Sequence, residues 1–178
     1  MLSAHTRRLT TCLALAAVAC LTLGCGEETP PEGPMVGKRA IDLAPEVEFW
    51  VNGSELDITT LRNQVVLLYF WHPRDGKSLA TLPAVQKLAA EFADAGLVTV
   101  GICVLDGPAD IEPLIREHKI GFRIALDCDA DLHVRYRIDK TGTPYCYLVD
   151  THHVVAWEGP PGSLTARRVA KLLPTDLR

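Results

Sequence analysis

The sequence predicts a three-layer α/β domain, a central sheet flanked by helices. Three observations carry that expectation. Val65–Phe70 (VVLLYF) is an unbroken apolar run of strand length, which suits a strand buried on both faces. A polar turn and a helical pattern follow it at once. Farther on, short strand-like and helix-like segments alternate until a hairpin and an amphipathic helix close the chain.

Taken in order, the globular part begins at Ala40. Val47–Val51 and Leu56–Thr59 flank Asn52-Gly53-Ser54, an Asn-Gly turn signal, and predict an N-terminal β-hairpin. Thr60–Asn63 reads as a helical turn ahead of the Val65–Phe70 strand. Leu79, Leu82, Val85, Leu88, Ala89 and Phe92 recur at helical spacing, so a helix runs from about Asp75 to Ala95, with Gly96 as its stop. Leu97–Leu105 is the next strand, Pro108–His118 a helix, Arg123–Leu126 a short strand and Ala130–Tyr136 a short helix. Tyr145–Val149 and Val154–Glu158 form a hairpin around Asp150-Thr151-His152-His153, and Ser163–Leu173 is the closing helix.

The N-terminus is a targeting segment and lies outside the fold. Arg7 and Arg8 precede an apolar stretch from Leu13 to Leu23, too short to span a bilayer, which reads as a secretory signal. It ends in Leu23-Gly24-Cys25-Gly26, which resembles a bacterial lipobox, with Thr22 where leucine is commonest. Cys20 is a second, weaker candidate. Acylation of Cys25 would tether the mature chain to a membrane by lipid, facing the periplasm or exterior of a bacterial envelope. The organisation expected is then residues 1–24 as signal, 25–39 as a Pro/Gly/Glu-rich linker and 40–178 as one domain. Loss of residues 1–24 leaves 16 Lys+Arg against 22 Asp+Glu, a formal charge of −6. That balance argues against nucleic acid as a partner.

Five strings in order carry a family resemblance. Gly37-Lys38-Arg39-Ala40-Ile41-Asp42-Leu43, Val65–Trp71, Leu82–Leu88, Ile124–Tyr136 and Gly142-Thr143-Pro144 with Tyr145–Asp150 resemble the thioredoxin superfamily, nearest its TlpA/ResA-like and AhpC/TSA-like redoxin branch. The resemblance implies a thioredoxin-like fold, a cis-proline loop at Thr143-Pro144, and thiol–disulfide or peroxide chemistry at the turn after Phe70.

That turn departs from the family. Aligned without gaps, the two cysteines of a CxxC fall on Asp75 and Ser78. A CxxC works because a helix N-terminus stabilises a thiolate that then attacks a disulfide. Asp75 makes a good N-cap but forms no mixed disulfide, and the Ser78 hydroxyl stays protonated without a base. Pro73-Arg74-Asp75 resembles the P-x-D of peroxiredoxins, yet no cysteine follows before Cys103. Gly76-Lys77-Ser78 is no phosphate loop, because Trp71 stands where that motif needs its first glycine.

The remaining residues are weighed likewise. Cys103 reads as a small buried hydrophobe; Cys128, between Asp127 and Asp129, as the most exposed thiol, made sluggish by its acidic neighbours. A Cys103–Cys146 bridge is not expected, because the Val65–Phe70 strand would lie between the two cysteines. His72, His152 and His153 lack any metal-ligand spacing, and Asp127, Asp129 and Asp131 lack the glycine and closing glutamate of a calcium loop, so neither metal nor cofactor is expected. Two functions follow. One is a binding or scaffold module whose groove (Trp71, His72, Arg74, Asp75, Thr143, Pro144) holds an extended peptide or an envelope protein by strand addition. The other is a thiol-disulfide oxidoreductase or peroxiredoxin-like antioxidant working through Cys128 or Cys146.

Overall fold

A computed structural model of the chain describes residues 34–105, 107–108 and 111–174. The predicted leader and lipobox, with Cys25, lie outside the described residues.

Six strands form one sheet: β1 (Phe49–Val51), β2 (Val65–Phe70), β3 (Leu97–Cys103), β4 (Arg123–Leu126), β5 (Tyr145–Val149) and β6 (Val155–Gly159). Their order is β1-β4-β3-β2-β5-β6. β2, β3 and β4 run parallel, and β1, β5 and β6 pair antiparallel to their neighbours. All six residues of β2 are fully buried, as an unbroken apolar run demands of a strand covered on both faces.

The pleat sorts that run into two cores. Val65, Leu67, Tyr69 and Trp71 face α1 (Gly76–Phe92), α2 (Glu112–His118) and α5 (Ala166–Leu172). Val66, Leu68 and Phe70 face α3 (Asp131–Arg135), α4 (Ile138–Thr141) and the N-terminal segment. Helices on one face, the sheet, and helices on the other thus make the three layers the sequence predicts.

The N-terminal hairpin does not form. Phe49–Val51 pairs with β4, and residues 58–60 make a single 3₁₀ turn. The Asn-Gly signal is real but serves another contact: Asn52, at φ 60°, donates its amide to the carbonyls of Ile120 and Phe122, both at 2.8 Å. Asp57 caps the 3₁₀ turn and Asp42 accepts the Ile58 N–H, so the backbone groups a second strand would use are already engaged.

The packed part also begins before Ala40. Met35 is buried and donates its N–H to the buried Glu158 carboxylate at 2.8 Å. Gly37 and Lys38 exchange backbone bonds with Val155, and Arg39 bridges Val154. Part of the predicted linker therefore lies along β6 and covers that edge of the sheet.

Candidate functional site

The turn between β2 and α1 lies at the carboxyl end of a central parallel strand, where open α/β sheets gather their chemistry. Asp75 is the N-cap of α1. Its carboxylate accepts the backbone N–H of Lys77 at 3.2 Å and of Ser78 at 3.0 Å, two of the donors that a helix start leaves unpaired. Ser78, fully buried, donates its hydroxyl to the same carboxylate at 2.8 Å and accepts the His72 N–H at 3.1 Å. The Ser78 hydroxyl bond, then the two backbone N–H bonds, hold the Asp75 carboxyl below the ordinary range. A carboxylate so stabilised is a poor base, and the serine proton it holds has nowhere to go.

Beneath the turn, Tyr69 hydroxyl donates to the Ser78 carbonyl at 2.7 Å and meets Thr81 Oγ1 at 3.0 Å. Burial pushes the Tyr69 hydroxyl pKa up, so it stays a neutral strut. On the outer side, the Arg74 N–H donates to His72 Nδ1 at 3.1 Å, which leaves His72 Nε2 as the proton-bearing nitrogen of the neutral ring.

The second element is the loop before β5. Phe70 pairs with Tyr145, so Thr143 and Pro144 lie alongside the Trp71-His72 turn, and the Thr143–Pro144 peptide is cis. Both residues are half-buried. Among the described residues, neither the N–H nor the C=O of Thr143 meets a hydrogen-bond partner within the chain.

Of the residues predicted to line a groove, His72, Asp75, Thr143 and Pro144 are half-buried and Arg74 is exposed. Trp71 is not a groove residue. It is fully buried, stacked on Tyr69 with ring centroids 6.1 Å apart, because it continues the odd-numbered face of β2 into the core.

The cysteines are dispersed. Cys103 and Cys146 are buried on strands separated by β2, and Cys128 is half-buried; no disulfide joins any of the three. Burial, with the Asp127 carboxylate second, pushes the Cys103 thiol up to about 12, and burial alone raises Cys146 still further. Among the described residues, no group of three His, Cys, Asp or Glu could hold a metal ion, and no helix is long and apolar enough to cross a membrane.

One polar arrangement escaped the sequence reading. Asp127, fully buried, accepts the N–H of Leu132 at 3.1 Å and of His133 at 2.9 Å, and contacts His133 Nδ1 at 2.5 Å. The run of alternating aspartates drew attention to calcium; the signal that mattered was one aspartate six residues before a histidine at a helix start.

A parallel strand leading into a capped helix, beside a cis Thr-Pro loop on the antiparallel neighbour, defines a thioredoxin-like fold. Solved structures agree. The chain is similar to a thiol-disulfide isomerase from Corynebacterium glutamicum (TM-score 0.66, 19% identity, 77% of this chain and 96% of that one). It is similar too to the thioredoxin domain of a thiol-disulfide oxidoreductase from Bacteroides vulgatus (0.65, 20%, 78% and 98%) and to StoA from Bacillus subtilis (0.57, 19%, 78% and 98%). No curated protein matches the sequence. The chain belongs to the AhpC/TSA family, which it matches over residues 36–158.

Proposed function

We propose that this protein is a redox-inactive binding module of the cell envelope, tethered to a membrane by lipid at Cys25. The exposed Arg74 and the half-buried His72 and Asp75, with the Thr143-Pro144 loop, receive an extended segment of a partner protein. The observation that carries the reading is Ser78, itself fully buried, whose hydroxyl is bound on both sides. A thiol position so filled has no nucleophile, while the unpaired Thr143 backbone keeps the means of pairing with a strand.

The oxidoreductase reading rests on the kinds of protein the fold resembles and on Cys128, the half-buried thiol. Insulin-disulfide and peroxide reduction by the full chain in detergent separate the two. We expect turnover at the buffer rate, unchanged by Cys128→Ser; cysteine-dependent turnover well above buffer would favour the enzyme. Binding has its own test, in which peptides selected from an unbiased library on the wild-type chain lose affinity for His72→Ala/Arg74→Ala. Peptides indifferent to that change would place the contact elsewhere.

A further inference from the structure

At the opposite end of the sheet, β3 outruns its neighbour. β4 begins at Arg123, opposite Val100, so Leu97, Val98 and Thr99 have no strand on that side. A cleft of about 630 Å³ opens there, walled by α1 on one side and by the chain from Lys119 to Arg123 on the other. That volume lies within the range of small-molecule sites, roughly 300–1,000 Å³.

Its chemistry is selective. Leu97 and the ring of Phe122 supply apolar surface, and Ala89 and Ala90 of α1, with Ala93 at its end, keep it open. Lys87, Lys119 and Arg123 line it, and no carboxylate does, in a chain of formal charge −4. Among the described residues, none of these three cations is in a salt bridge; Arg123 reaches only the Ser54 carbonyl, at 3.2 Å. Thr99 lines the cleft, is 7% exposed, and has a hydroxyl without a hydrogen-bond partner. A buried unpaired hydroxyl is costly in a finished core and is explained where a ligand completes it.

We propose that this cleft binds a small organic monoanion, an apolar body bearing one carboxylate. The body lies on Leu97, Phe122 and the alanine face of α1. The carboxylate meets Lys87, Lys119 and Arg123, with the Thr99 hydroxyl as a further donor. This site is separate from the β2–α1 turn, so neither depends on the other.

The test is isothermal titration calorimetry of the full chain in detergent micelles with 2-naphthoate, against a protein-free micelle blank. We expect saturable one-site binding, no comparable binding of 2-naphthylmethylammonium, and affinity weakened by up to about fivefold for each cation lost in Lys87→Gln/Lys119→Gln. Ala90→Trp, on the exposed side of α1, fills the cleft without touching the core and should abolish binding while leaving the circular dichroism spectrum unchanged. Absence of saturable binding, equal binding of the ammonium compound, or full binding by Ala90→Trp would each overturn the proposal.

Discussion

Ser78→Ala tests whether Ser78 is a structural joint of the β2–α1 turn. The substitution removes one donor to Asp75 and the acceptor of the His72 N–H. An unsatisfied buried donor costs ~1–3 kcal/mol, and His72 is only half-buried, so the lower part of that range applies. Alanine returns roughly 0.5 kcal/mol through its better helix propensity. The net destabilisation is about 1 kcal/mol, or ~4 °C in melting temperature for a domain of this size. Thermal unfolding followed by circular dichroism near neutral pH reads it. A second signal separates a joint from a general loss of stability. The Ser78 hydroxyl bond is the largest influence on Asp75, so carboxyl chemical shifts titrated by NMR should show the Asp75 pKa rising toward the ordinary value. An unchanged melting temperature together with an unchanged Asp75 titration would refute the reasoning.

Three further outcomes follow from the same contacts. Asp75 has a lowered folded-state pKa, so the stability it contributes is fully present above the unfolded value of 3.8 and is lost as pH falls through the lower folded value. The stability difference between the wild type and Asp75→Asn, measured by urea unfolding, should therefore shrink in acid below pH 3.8, and a gap constant with pH would contradict it. Gly101→Ala would place a Cβ 2.8 Å from Phe122 Cε2 and 3.0 Å from Trp71 Nε1, both buried ring atoms. Overpacking of that kind costs ~1–3 kcal/mol, visible as a lowered urea midpoint at constant slope. Cys25→Ala should move the protein from the membrane pellet to the soluble fraction; retention in the pellet would count against the lipid anchor.

The fold was legible where one physical signal dominated. The Val65–Phe70 run admits little but a doubly covered strand, and Asp75 ahead of a helical pattern marks a cap. Asn52-Gly53 shows the limit of such reading. The dipeptide specifies a turn, yet whether the chain beyond it pairs back depends on which distant groups engage it, here the carbonyls of Ile120 and Phe122. Met35 was hidden for a related reason. A single apolar residue among prolines and glycines has no periodicity, and only the Glu158 carboxylate and the β6 edge give it a place. Trp71 was misjudged because an aromatic ring beside a turn suits a groove as well as a core, and the parity of β2 decides between them.

Asp75 and Ser78 belong together at the turn. Asp75 alone would satisfy the first helix donors but leave the His72 N–H without an acceptor. Ser78 alone would accept that N–H but lack an outlet for its own proton. Paired, each completes the other, and the first turn of α1 is held by hydrogen bonds to a fixed carboxylate and a fixed hydroxyl. The same bonds make the carboxylate a weak base and keep the hydroxyl proton in place. A turn built this way keeps the strand-to-helix placement of a thioredoxin-like fold and offers no thiol. The unpaired Thr143 backbone beside it stays open for strand pairing, and that is what the proposed recognition of an extended segment uses.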